Sequence, residues 1–173
     1  MFFQKLKSQF RELHPALKGI LLMGLASLTV LFYLFSGHGI RSFSQEARFT
    51  YYLHGLDSPE GVTGMVIVAP FIEEIKYRGP VWLIMLLTSA LAARFSKKQL
   101  IETAGFILAT ATLVGLTLFW ALGHRFPITV FCYGLVWGYV LIATRSIIYP
   151  ILFHAGSNAI AVIGIMALAG FRG

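Results

Sequence analysis

Charge is what this chain has least of: Asp, Glu, Lys and Arg make up 12% of its 173 residues, against about a quarter in soluble domains. Acids are the scarcer sign, 7 against 14 basic residues, for a formal net charge of +7. The shortage excludes an ordinary soluble domain, because too little polar surface remains to cover one. It also removes nucleic acid as the partner that a basic balance would otherwise suggest. Lys and Arg read instead as anchors at the ends of membrane spans. A single cysteine, Cys132, excludes an intramolecular disulfide and a Cys-rich zinc site. No internal repeat, low-complexity tract or linker divides the chain. What is abundant is apolar: 57% hydrophobic and 14% aromatic. The expectation is an all-α, polytopic transmembrane helix bundle of about 6 membrane helices, one integral-membrane domain over residues 1–173, embedded in a lipid bilayer.

Residues 1–15 put Phe3, Leu6, Phe10 and Leu13 on one helical stripe, away from Lys5, Lys7 and Arg11, as in a helix lying on the cytoplasmic membrane surface. The run from Ala16 to Phe35 is long enough to cross about 30 Å of hydrocarbon. Without an A-x-A-like cleavage site it reads as a retained anchor. Residues 36–60 are the long polar stretch, where Phe49, Tyr51 and Tyr52 suit an interface. Ser58-Pro59 reads as an N-cap followed by proline at the first helical position. Apolar runs follow at 61–72, 80–93, 104–122, 127–143 and 147–169. Gly79-Pro80 reads as a break between the first two, which either cross the membrane separately or share one crossing. The positive-inside rule favours the shared crossing, and a cytoplasmic N-terminus survives both arrangements. Gly134 and Gly138 form a small-xxx-small pair that lets helices approach closely.

Ionisable groups inside hydrocarbon are costly and therefore informative. Glu73 and Glu74 end one apolar run; Arg78 lies one turn beyond Glu74. Neighbours on a helix point about 100° apart, so the two carboxylates cannot share a task. Glu74 and Arg78, at i and i+4, have salt-bridge spacing, which leaves Glu73 free as a general base. His154 and Asn158 share a helix face, and each can donate a hydrogen bond to one oxygen, as a developing oxyanion requires. His124 ends the run FWALGH. Singly, each set also reads as packing or interfacial anchoring; together they are the minimum parts for amide hydrolysis by activated water. Ser157 and Cys132 have no base partner in the sequence pattern, and an HExxH zinc motif is absent. Two Glu and two His are also a metal-ligand set, but Lys76 and Arg78 beside them disfavour a cation. A divalent metal stays in reserve.

These motifs resemble the CAAX proteases and bacteriocin-processing enzymes, the CPBP or Abi family of multi-pass intramembrane endopeptidases. Glu73-Glu74-Ile75-Lys76-Tyr77-Arg78 matches its Glu-Glu-x-x-x-Arg motif. Trp120-Ala121-Leu122-Gly123-His124 approximates Phe-x-x-x-His, with Trp for the usual Phe. His154-Ala155-Gly156-Ser157-Asn158 meets His-x-x-x-Asn. The resemblance runs from about residue 61 to 165 and implies a glutamic-type, cofactor-free protease. It implies that Glu73 and His124 activate the water, that His154 and Asn158 stabilise the oxyanion, and that Glu74 and Arg78 orient them, Glu74 through His154. It further implies a prokaryotic cell membrane and a membrane-anchored protein or peptide substrate, processed as a sorting signal, a bacteriocin or a prenylated terminus. Which of these it cleaves, and the oligomeric state, stay open. A membrane immunity or scaffold protein and a small proton-coupled transporter are the competing functions. Simple helices leave His124 and His154 at mismatched depths, a gap that a His124-Arg125-Phe126-Pro127 corner or a bent helix would close.

Overall fold

A computed structural model of the chain describes residues 14–15, 17–22, 24, 40–96, 98–124 and 127–170. Of the surface helix expected over 1–15 only residues 14 and 15 are described, and most of the run from 16 to 35 lies outside the described residues. Residues 17–22 are helical. The remaining elements are α1 (Ile40–Leu53), α2 (Pro59–Thr63), a π-helical turn (Gly64–Val68), α3 (Ala69–Ala92), α4 (Lys98–Leu122), α5 (Pro127–Thr144) and α6 (Ile148–Gly170). The fold is an all-α bundle. Lys98–Leu122, Pro127–Thr144 and Ile148–Ala167 are long and apolar enough to cross a membrane. α3 matches them in length, with 24 residues, but carries Glu73, Glu74, Lys76 and Arg78. The polar stretch 36–60 also contains a helix, α1, which packs on α6 and leaves Phe49, Tyr52 and Leu53 exposed.

Two local signals behave as their chemistry dictates. Ser58 takes an extended backbone (φ −118°, ψ 148°), and its Oγ accepts the Gly61 N–H at 3.1 Å, with Pro59 opening α2. At Gly138 an added methyl would collide with Leu113, and at Gly134 with Thr117, Arg78 and Trp120. These glycines let α5 lie directly on α4 and on the Arg78 guanidinium.

The break expected at Gly79-Pro80 is not there. Pro80 lies inside α3, which runs unbroken to Ala92. Proline removes one helical hydrogen bond and crowds the preceding turn, yet transmembrane helices tolerate it where neighbouring helices hold the backbone in place. Here the flanking Arg78 and Val81 are fully buried, so packing on both sides of the proline fixes the helix. The runs 61–72 and 80–93 therefore belong to one continuous helical rod. Its C-terminal half supplies the apolar core, where Val81 meets Ala109, Leu113 and Leu141, flanked by Trp82, Met85 and Ile142. Its N-terminal half carries the charges.

The irregularity lies upstream, at the π turn. Ala69 N–H bonds to Gly64 O rather than to Met65 O, and Pro70 has no N–H to offer. The carbonyl of Met65 thus loses its helical donors. Asn158 of α6 replaces them, its Nδ2 donating to Met65 O at 2.9 Å.

Candidate active site

The 100° step between Glu73 and Glu74 separates them as geometry requires. Glu74 points into the bundle and is fully buried, as is Arg78 one turn on. Their ion pair is Arg78 Nη1 to Glu74 Oε1, 3.3 Å. A buried guanidinium is expensive unless something replaces its water. Aromatic faces do part of this: Arg78 Cζ lies 4.5 Å from the Trp120 ring centroid and 5.7 Å from that of Trp137. Glu73 turns toward an opening, its side chain 30% exposed.

His154, on α6, joins the two carboxylates. Its Nδ1 is 3.0 Å from Glu74 Oε1, and its Nε2 is 3.8 Å from Glu73 Oε2. The ring stacks on Trp137 at 4.2 Å and 23° and meets the Trp120 ring edge-on at 5.5 Å. Glu73, Glu74, Arg78 and His154 are therefore one cluster between α3, α4, α5 and α6.

His124 lies just beyond the end of α4 and folds back on it. Its Nδ1 is 2.8 Å from Trp120 O. A carbonyl only accepts, so Nδ1 carries the proton, and a ring carrying that proton alone has its lone pair at Nε2. The His124 and Trp120 rings are 4.8 Å apart, and Trp120 Nε1 donates to Glu73 Oε2 at 2.8 Å. Trp120 thus reaches inward from the last turns of α4 to both histidines; the corner expected at residues 124–127 includes 125 and 126, which lie outside the described residues. Glu73 and His124 line one cavity of about 620 Å³ with Lys76, Tyr77 and Trp120. Ile72, Phe119 and Leu122 form its outer apolar wall.

Asn158 is the member held apart. It shares the His154 face of α6, but its amide nitrogen is engaged on Met65 O. The second proton of that amide is not used by this bond. Ser157 Oγ donates to Phe153 O at 2.8 Å, which spends it on its own helix, and Cys132 is exposed. Sequence reasoning missed Trp137, the stacking partner of His154. The available signal was its position between Gly134 and Gly138, two points where α5 lies close against its neighbours.

A family model described as Type II CAAX prenyl endopeptidase Rce1-like matches residues 59–160, from the Ser58-capped start of α2 to beyond Asn158. The chain belongs to this family. No curated protein and no solved structure matches it. The matched stretch takes in the whole cluster and the cavity beside it. As an Rce1-like chain it is a membrane protein of a CAAX-type endopeptidase family, whose substrates are membrane-associated proteins.

Proposed function

We propose that the chain is an intramembrane endopeptidase of glutamic type, which hydrolyses a peptide bond of a membrane-anchored protein or peptide with water activated by Glu73 and His124. The observation that carries this reading is that the half-buried Glu73 and His124 line one cavity, backed by a buried, ion-paired second carboxylate. Glu73 takes a proton from water as the oxygen attacks the carbonyl carbon. It returns the proton to the departing amine when the C–N bond breaks. The oxyanion is met by His154 Nε2 and by the second amide proton of Asn158. Donation from Nε2 while Nδ1 faces Glu74 requires a proton on each ring nitrogen; with both carboxylates and Arg78 ionised, the cluster then carries no net formal charge. Glu74 and Arg78 orient His154.

No cofactor enters these steps. The Arg78 guanidinium, 3.3 Å from Glu74, already supplies positive charge there. Cleavage that persists in excess strong chelator is the expected result, and its loss with recovery on metal addition would restore the metal reading. The family description supports a prenylated CAAX terminus as the substrate. Sorting-signal and bacteriocin-type processing in a prokaryotic cell membrane, with a cytoplasmic N-terminus, are the related assignments. The deciding experiment is Glu73→Gln in proteoliposomes with a prenylated CAAX peptide: shape is kept, the base is lost and cleavage stops. Cleavage at the wild-type rate would remove Glu73 as base. A biological effect retained without cleavage would favour a scaffold or immunity role. Substrate-dependent proton flux would favour a transporter.

A further inference from the structure

Trp120 touches four groups of the candidate site: Glu73, Arg78, His124 and His154. Its Nε1–H donates to Glu73 Oε2 and its carbonyl accepts from His124 Nδ1, both at 2.8 Å. Its ring lies 4.5 Å from the Arg78 guanidinium carbon and 5.5 Å from the His154 ring. The residue itself is buried, 4% exposed, so these contacts hold it in one orientation.

Glu73 needs such a partner. Its side chain reaches toward an open cavity, and His154 Nε2, at 3.8 Å, is beyond hydrogen-bond distance. Among the described residues the Trp120 indole is the hydrogen-bond donor that Glu73 has. A carboxylate held at one oxygen presents the other in a defined direction. The backbone of the same residue sets the tautomer of His124, so one residue orients both groups that face the water.

We infer that Trp120 is a positioning residue for the hydrolysis, acting through Glu73: its N–H occupies Oε2 and turns Oε1 toward the water shared with His124. The inference rests on the reading of Glu73 as base. It goes beyond the motif, whose usual Phe supplies an aromatic wall but no donor. A purely space-filling ring would work equally well without its N–H, and this difference makes the two roles separable.

The test replaces the N–H and little else. Trp120→Phe keeps an aromatic wall. Incorporation of 3-benzothienylalanine at 120 keeps the full bicyclic ring, and with it the Arg78 and His154 contacts, while a sulfur replaces the N–H. With a prenylated fluorogenic CAAX peptide and the full-length protein in detergent micelles, both variants should lower kcat about tenfold or more, the scale of one charge-assisted hydrogen bond, with KM within about twofold. A benzothienyl variant with wild-type kcat overturns the inference.

A second arm needs no substrate. The indole N–H band in ultraviolet resonance Raman spectra, isolated as the difference between wild type and Trp120→Phe, should move to the free N–H position in Glu73→Ala. A band unmoved by Glu73→Ala shows the indole bonded elsewhere and also overturns the inference. Lack of cleavage by the wild type would count against the enzyme reading and, with it, the positioning role; the Raman shift would then report only whether the hydrogen bond exists.

Discussion

The bundle has two polar corners, and they are finished differently. At the corner where α5 turns into α6, Arg145 is held by three bonds of ordinary geometry. Arg145 N donates to Leu141 O at 2.7 Å, Arg145 O accepts the Trp82 indole at 3.2 Å, and Arg145 Nη1 donates to Ser89 Oγ at 3.2 Å. The residue sits at φ 56°, the left-handed conformation that closes a helix C-terminus and costs a side-chain-bearing residue about 1–2 kcal/mol. The cavity beside it is small, about 70 Å³. At the other corner the cavity is about 620 Å³. There Glu74 Oε2 and Arg78 Nε and Nη2 are buried without hydrogen-bond partners from the described residues, and Arg78 Nη1 has only its ion-pair contact with Glu74 Oε1. Buried polar groups are almost always satisfied by protein or by ordered water, so these groups mark where water or another polar group can bind. One corner is a completed joint. The other keeps polar capacity unused beside an opening.

The contrast predicts opposite responses to substitution, and five variants probe it. The largest effect belongs to Glu73→Gln, which should cut kcat about 100- to 10,000-fold with unchanged helical content by circular dichroism. Next is Arg78→Leu, which strands the fully buried Glu74 carboxylate. A loss of about 3–5 kcal/mol is expected, read from thermal or denaturant unfolding in detergent, whereas Arg145→Gly should change stability little. Asn158→Ala removes the donor on Met65 O and should cost about 1–3 kcal/mol of stability, together with a lower kcat in the peptide assay. Smallest is Trp82→Phe, which uncaps the Arg145 carbonyl. It should cost about 0.5–1.5 kcal/mol and leave kcat at the wild-type value. A kcat loss in Trp82→Phe equal to that in Asn158→Ala would erase the distinction between the corners.

Much of this was legible in the residues, and the failures share a cause. Long apolar runs gave α4, α5 and α6 because a membrane span needs only length and composition. The Glu74–Arg78 pair followed from one helical turn, and the separation of Glu73 from Glu74 from the angle between neighbours. Each of those inferences uses a single helix. The Gly79-Pro80 break failed because a local propensity was overruled by burial of Arg78 and Val81 against other helices. The polar stretch before Pro59 hid α1, whose helix is held by packing on α6 rather than by a long apolar run. The engagement of Asn158 with Met65 needed two elements at once: a π turn ahead of Pro70 in one, and the half-buried amide of another. Trp120 could be placed as an aromatic wall, but nothing in the chain order reveals that its N–H finds Glu73 across 47 residues.

Gly134 gives this arrangement a consequence for anyone altering the bundle. A methyl group there would lie 2.5 Å from Thr117 Cγ2, 2.6 Å from Arg78 Nη2 and 3.1 Å from Trp120 Cζ3. One hydrogen atom on α5 thus sets how closely a guanidinium, an indole and a neighbouring helix can crowd together. Gly134→Ala, among the mildest exchanges in any mutational scan, would act here as a wedge driven beneath the ion pair. A substitution that changes no charge, and removes no hydrogen-bonding group, would register as damage to the electrostatics of the site.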